Sequence, residues 1–183
     1  MTDYETEPAS SPWHDQAPIG ERLSAQPLLH DPLTAFEGDL RLAPLAPMLV
    51  PEKPRSGELK PAECGHCHPQ PQWGGWIWRD DRWHVGTPAT FGIPFWAGLA
   101  PNEHVRLHEM GPDLLSSMGA VIQRLAAAIQ GLDAVAWTHF SRWGDGSAHF
   151  HMAFMGRPLG MMQARGYMLP VWFDVLPPCE PEL

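Results

Sequence analysis

Hydrophobic residues recur at helical spacing between positions 112 and 131. Successive apolar side chains lie three or four residues apart, which places them on one face of a helix. The residues of this face are Leu114, Leu115, Met118, Val121, Ile122, Leu125 and Ile129. Pro112 and Asp113 suit the first turn of a helix, and Gly131 suits its end. The pattern therefore predicts one long helix.

Segments typical of β-strands lie on both sides of the predicted helix. Three precede it and two follow it, at residues 75–78, 83–85, 94–99, 134–142 and 148–155. A turn at Asp80 and Asp81 separates the first two segments and predicts a hairpin. The order β-β-β-α-β-β indicates an α+β domain with an antiparallel sheet.

The last predicted strand has two chemically different faces. Because successive side chains of a strand point to opposite sides, Phe150, Met152 and Phe154 share one face. The opposite face carries Ser147, His149, His151 and Ala153. We expect the first face to pack in the core and the histidine face to be available for chemistry.

The first part of the chain has a different composition. Residues 1–63 hold ten of the 21 prolines and 11 of the 21 acidic residues, with little periodicity. We expect residues 1–45 to form a proline-rich acidic arm that is partly disordered, and residues 46–183 to form the domain. An alternative is that the apolar islands at 40–42 and 47–50 pack onto the domain.

Charge and hydropathy exclude several classes of protein. The net charge of −9 argues against a general nucleic-acid binder, because neutralising phosphates needs clustered lysine and arginine. The negative net charge remains compatible with binding of small anionic ligands. No apolar run approaches the length of a membrane span, and no basic start precedes an apolar signal core. We therefore expect a cytoplasmic protein.

Two of the three cysteines, Cys64 and Cys67, form a C-x-x-C knuckle, and Cys179 stands alone. This is not a disulfide framework. A structural zinc ion takes four nitrogen or sulfur ligands, so the knuckle needs two more. The candidates are His66, His68, His84, His104, His108, His139, His149 and His151. Spacing alone does not choose among them.

Three motifs occur in an order that resembles the histidine-triad (HIT) superfamily. They are Cys64-x-x-Cys67, then Pro101-Asn102-Glu103-His104, then Gly146-Ser147-Ala148-His149-Phe150-His151. The resemblance covers roughly residues 60–158 and is strongest to the galactose-1-phosphate uridylyltransferase branch. It implies a HIT-like antiparallel sheet with one long helix and a zinc knuckle.

The resemblance also implies a role for each matching residue. In that branch, structural zinc is bound at the positions of Cys64, Cys67, His104 and His149. The second histidine of the H-x-H pair is the nucleophile, and it corresponds to His151. Zinc would then hold the strand while His151 reacts.

The sequence departs from the family pattern at two places. The third triad position, which is His or Gln in the family and normally contacts the phosphate or the leaving group, is Ala153. The usual Gly-His pair before the third strand is replaced by residues 91–94, Phe-Gly-Ile-Pro. Both departures bear on whether the standard catalytic route operates.

Other residues near the histidine pair are candidates to bind substrate. Arg142 and Arg157 flank the predicted strand, and a guanidinium grips phosphate oxygens bidentately. Ser147 closes a glycine-rich loop that could bind an anion, and Gln163 could replace the absent third residue. The alternatives are solvated arginines and a plain turn.

Aromatic residues in strands are more often core, so we assign to substrate none of Trp73, Trp76, Trp78, Trp83, Trp137 and Trp143.

The leading functional hypothesis is a nucleotidyl hydrolase or transferase that forms a covalent nucleotidyl-histidine on His151. Its expected partner is a small nucleotide or sugar nucleotide, and the resemblance adds a two-fold homodimer. A second hypothesis is a zinc-stabilised nucleotide-binding module without turnover, motivated by Ala153. A third makes the metal catalytic, with an open coordination position. Four protein ligands would argue against the third.

Overall fold

The computed structural model describes residues 7–9, 15–16, 19–24, 39–41, 43–68 and 73–178. Its contacts divide the chain into two compact units, Met1–Pro54 and Arg55–Leu183. Most of the predicted arm, residues 1–45, lies outside the described residues. The arm, its disorder and its boundary with the domain stay predictions.

The described part of the first unit contains two small antiparallel sheets. In the first, β1 (Glu7–Ala9) pairs with β4 (Met48–Val50). In the second, β2 (Arg22–Ser24) pairs with β3 (Asp39–Arg41). The apolar residues at 48–50 therefore belong to a strand within this unit.

The second unit is built on a five-stranded antiparallel sheet in the order β5-β6-β7-β9-β8. The strands are β5 (Trp73–Arg79), β6 (Trp83–Pro88), β7 (Phe95–Pro101), β8 (Val135–Ser141) and β9 (Met152–Pro158). The long helix α1 (Pro112–Gln130) connects β7 to β8, and α2 (Met168–Val175) follows β9. Short 3₁₀ helices lie at Pro61–Glu63, Leu107–Glu109 and Met162–Ala164. The predicted α+β class, with an antiparallel sheet and one long helix, is confirmed.

Helix α1 forms where the apolar spacing predicts it. Pro112 occupies the first turn, and the backbone N–H of Gly131 donates to the last carbonyls of the helix. The buried residues Val121 and Ile129 face the sheet in the main core. Because local spacing and end signals agree, this element was predictable without tertiary information. No helix in the described ranges is long and apolar enough to cross a membrane.

Both faces of the sheet are covered around β9. One core contains Phe150, Met152 and Phe154 with residues of α1, which confirms the predicted packing face. The second core contains Ala153 and Met155 and is covered by residues of α2. The face that carries Ala153 is therefore partly packed along β9, while Ala153 and His151 also line a cavity.

The predicted start of the last strand is wrong. Strand β9 begins at Met152, so residues 147–151 precede it. Their backbone groups bond outside the sheet: the N–H of Ala148 donates to Ser56 O at 3.0 Å, and the N–H of Phe150 donates to Val105 O at 2.8 Å. Both histidines of the H-x-H pair thus lie in a segment held by two loops. Alternation along a strand does not explain their positions.

Candidate metal centre and adjoining cavity

Four predicted ligands come together in the second unit. The donor atoms of Cys64, Cys67, His104 and His149 all lie within 4.8 Å of one another, and the group could hold a metal ion. Cys67 Sγ is 3.4 Å from Nδ1 of His104 and 3.4 Å from Nδ1 of His149. Cys64 Sγ is 3.6 Å from Nδ1 of His149. The structure therefore selects His104 and His149 from the candidate histidines.

These distances fit a tetrahedral centre. Zinc–sulfur bonds of about 2.3 Å and zinc–nitrogen bonds of about 2.0–2.1 Å at tetrahedral angles place the two donors about 3.6 Å apart. The observed sulfur–nitrogen separations of 3.4 to 3.6 Å agree with this value. Both cysteines are free thiols. Two sulfur and two nitrogen donors form a ligand set that structural zinc commonly takes.

Three separate parts of the fold supply the ligands. Cys64 ends the 3₁₀ helix Pro61–Glu63, and its N–H donates to Pro61 O at 3.1 Å. His104 follows the end of β7, and His149 precedes β9. A metal ion would therefore join the knuckle to both loops at one end of the central strands.

The buried His149 side chain is oriented by a backbone carbonyl. It is fully buried, and its Nε2–H donates to Pro101 O at 2.9 Å. A proton on Nε2 leaves the lone pair on Nδ1, the atom that faces both sulfurs. Such a partner on the second nitrogen is usual for metal-bound histidine. Burial, opposed by this hydrogen bond, lowers the pKa of His149 to about 4.

The Cys67 thiol of the knuckle is poorly suited to ionise without a cation. Burial, together with a hydrogen bond and charge repulsion from Cys64, raises the pKa of Cys67 to about 11. A bound divalent ion stabilises thiolates and reverses this preference. The thiol pair is therefore placed where a cation would be most stabilising.

His151 lies beside this centre and lines a cavity of about 400 Å³. Its Nδ1 is 2.8 Å from the backbone oxygen of His149. A carbonyl oxygen only accepts, so Nδ1 carries the proton and Nε2 keeps its lone pair. Tryptophan and histidine side chains make up much of the lining, including His66, His84, Trp76, Trp96 and Trp143.

His66, the residue between the two cysteines, contacts His151 directly. Their rings are stacked, with centroids 4.4 Å apart and planes inclined by 25°. Burial, followed by repulsion from His151 and the other nearby histidines, lowers the pKa of His66 to about 3. Sequence reasoning left His66 among eight candidate ligands. Its position inside the knuckle was the signal that it would lie beside the H-x-H pair.

His84 on β6 is the third histidine of the cavity. Its Nδ1 donates to the side-chain oxygen of Asn102 at 3.1 Å. Burial lowers the pKa of His84, and the hydrogen bond opposes this shift. At neutral pH the cavity therefore presents neutral imidazoles at His66 and His84.

The predicted substrate-binding residues do not assemble at one place. Ser147 lines the cavity but is buried, with its Oγ donating to Ser56 O at 3.3 Å and accepting the N–H of His149 at 3.2 Å. The other three residues, Arg142, Arg157 and Gln163, are not among the residues lining this cavity.

Each of those three residues has its own surroundings. The guanidinium of Arg142 lies 5.5 Å from the ring centroid of Phe150. Arg157 donates to Met161 O at 3.1 Å. The backbone oxygen of Gln163 accepts from the indole of Trp172 at 3.1 Å. Their predicted roles toward phosphate stay predictions.

The tryptophans divide between core and cavity. Trp83 is fully buried in the main core, as expected for an aromatic residue in a strand. In contrast, Trp76 and Trp143 are 44% and 54% exposed and line the cavity with Trp96. The expectation that strand tryptophans are core residues therefore fails for Trp76 on the edge strand β5 and for Trp137 on the edge strand β8, which is 63% exposed and does not line this cavity.

Comparisons with known proteins returned structures only. Neither a family model nor a curated protein matches the chain. A HIT-like protein involved in cell-cycle regulation from Bartonella henselae is 15% identical, with a TM-score of 0.40, over 46% of this chain and 67% of its own. A hypothetical histidine triad nucleotide-binding protein from Sulfolobus tokodaii is 13% identical, with a TM-score of 0.40, over 46% and 61%.

A zinc-bound histidine triad family protein from Mycobacterium smegmatis is 21% identical, with a TM-score of 0.40, over 55% of this chain and 84% of its own.

Proposed function

We propose that the second unit is a HIT-like nucleotidyl hydrolase or transferase with a structural zinc ion. The proposal rests on the position of the His151 side chain. It lines the cavity, and its Nδ1–H is directed to the carbonyl of His149. This arrangement leaves Nε2 as the nucleophilic atom. The adjoining ligand set supports a zinc ion that anchors the segment carrying His151.

The proposed reaction has two displacements. Nε2 of His151 attacks the α-phosphorus of a nucleotide ester, a phosphorus–oxygen bond breaks, and the leaving group departs with its electron pair. Water, phosphate or a sugar phosphate then attacks the same phosphorus, the phosphorus–nitrogen bond breaks with its electron pair returning to Nε2 of His151, and an attacking water loses its proton to solvent. The carbonyl of His149 keeps the proton on Nδ1 during both steps. Bound zinc would supply a rigid support for His149 and take no part in bond exchange.

The lining of the cavity supports a nucleotide as substrate. Trp76, Trp96 and Trp143 offer flat aromatic surfaces on which a base can stack. A cavity of about 400 Å³ lies within the range of small-molecule sites. Among the described residues, no lysine or arginine lines it. Neutral groups would therefore contact the phosphoryl oxygens.

A nucleotide-binding module without turnover is the second candidate. Ala153 favours it, because a methyl group at the third triad position offers no hydrogen bond to a leaving group. Ala153 lines the cavity while packing in the second core. On this alternative, nucleotides bind beside His151 and no covalent species forms.

Intact mass spectrometry after incubation with the 4-nitrophenyl esters of AMP and UMP tests the proposal. We expect a nucleotidyl adduct and a burst of nitrophenol in the wild-type protein. His151→Ala should lose both, and His108→Ala, which removes an exposed imidazole outside the cavity, should keep both. An adduct that persists in His151→Ala would overturn the assigned nucleophile. Binding of AMP or UMP without an adduct would favour the binding module.

A further inference from the structure

The third triad position is an alanine, so β9 gives the cavity no polar side chain after His151. The imidazole closest to His151 comes instead from the zinc knuckle. The ring of His66 lies 4.4 Å from that of His151 and nearly parallel to it, and 5.6 Å from the ring of His149. A separation of 4.4 Å places the two ring faces in van der Waals contact.

The backbone that carries His66 is firmly held. His66 lies between Cys64 and Cys67, two residues that could hold the metal, and Gly65 precedes it directly. The N–H of His68 donates to Cys64 O at 3.0 Å, and the N–H of Gly65 donates to the hydroxyl of Ser56 at 3.3 Å. The position of the His66 ring is therefore set by the same loop that would hold the metal.

His151 has less support of its own. A hydrogen bond from Nδ1 to the carbonyl of His149 holds one nitrogen of its ring, and the ring can still turn about this bond. Rotation of the imidazole about that bond would turn Nε2 away from an incoming phosphorus atom. A flat ring stacked on one face of His151 opposes this rotation.

We propose that His66 is a positioning residue: its ring packs against the His151 ring and holds Nε2 in the orientation that attacks substrate. The inference rests on the proposed function of His151. The loop of Cys64 and Cys67 would then have two roles, because it carries two metal ligands and also orients the nucleophile. A misplaced reacting atom costs up to about 100-fold in rate, so the expected effect is large.

Three variants separate ring packing from other roles. His66→Ala removes the ring, and His66→Phe keeps a flat ring without imidazole nitrogens. His68→Ala is the matched control, because it removes an exposed imidazole from the same knuckle. Single-turnover formation of the nucleotidyl adduct is measured against the concentration of the 4-nitrophenyl esters of AMP and UMP, with zinc content by elemental analysis.

We expect His66→Ala to lower the saturating rate of adduct formation by about 10- to 100-fold with little change in the half-saturating concentration. His66→Phe should recover most of that rate, and His68→Ala should match the wild type. All variants should retain the same zinc content. A wild-type rate in His66→Ala overturns the inference, as does a His66→Phe rate as low as that of His66→Ala. Loss of zinc in His66→Ala would assign His66 to the metal centre and also overturn it.

A second measurement keeps this inference separate from the proposed chemistry. The Nδ1–H of His151 can be followed by imidazole ¹⁵N NMR in the zinc-loaded protein without substrate. If the ring is held by His66, protection of this proton from exchange falls in His66→Ala and is retained in His66→Phe. If the wild type forms no adduct, the proposed function fails while this result still decides the positioning role. Unchanged protection in His66→Ala overturns that role.

Discussion

At the scale of single residues, Gly57 determines how closely the loop before the knuckle approaches Cys64 and His104, two of the residues that could hold a metal. Its φ of +75° lies in the left-handed region. A Cβ at this position would lie 2.7 Å from Cβ of Cys64 and 2.8 Å from Cε1 of His104. Glycine is therefore required here both by backbone conformation and by space.

Gly57→Ala should destabilise the protein and weaken metal binding. The left-handed backbone alone costs roughly 1–2 kcal/mol for a residue with a Cβ, and the contacts with Cys64 and His104 add to this cost. Thermal unfolding and zinc competition with a chromophoric chelator measure the two effects. Gly65→Ala is the control, because a Cβ there meets nothing within 4 Å and needs no left-handed backbone. Equal behaviour of the two variants would contradict the role of Gly57.

At the scale of elements, the last turn of helix α1 packs against the sheet beside Gly156 on β9, where the neighbouring strand β8 leaves no room for a side chain. A Cβ at Gly156 would lie 2.6 Å from a methyl group of Val135 and 3.5 Å from one of Ile129. Ile129 is 1% exposed and belongs to the main core. The last turn of α1 is therefore anchored to the sheet through the buried side chain of Ile129.

Ile129→Ala should lower the free energy of unfolding by about 2–5 kcal/mol, because it removes buried methyl groups and leaves a cavity. Chemical denaturation measures this difference. Leu115 lies on the same helix but is 42% exposed, so Leu115→Ala should cost much less. Similar losses in the two variants would show that burial against the sheet does not control the stability of this helix.

At the scale of the whole second unit, the four residues that could hold a metal connect parts of the chain that are distant in sequence. The knuckle at 64–67 meets His104 after β7 and His149 before β9. Ser147 adds a direct contact between the same regions, since its hydroxyl donates to Ser56 O at 3.3 Å. A bound metal would restrain all of these segments in the folded state.

Removal of the metal should therefore lower the melting temperature of the unit. A ligand at 100 times its Kd stabilises by about 2.7 kcal/mol, which corresponds to a shift of about 10 °C for a domain of this size. Calorimetry before and after chelation measures the shift, and added zinc should reverse it. In Cys64→Ser, which lacks one ligand, chelation should change the melting temperature much less. An unchanged melting temperature in the wild type would argue against a structural metal.

Local patterns in the sequence were sufficient for several elements. The apolar spacing and the end signals of α1 act within a few residues, so the helix was predictable from Pro112 to Gly131. The alternation of Phe150, Met152 and Phe154 correctly indicated the packing face. The start of β9 was not predictable, because residues 148 and 150 bond to Ser56 and Val105, which are distant in sequence.

The sequence by itself determined the helix and the α+β class, whereas the four residues that could hold a metal were predicted only from the resemblance of its motifs to those of a known family. Only the tertiary structure decided which other side chains surround His151. His66 stacks on His151, and Trp76 and Trp143 line the cavity, because separate loops converge in the fold. Spacing along the chain describes neighbours on one element. A cavity is formed by residues whose proximity arises only when distant elements pack together.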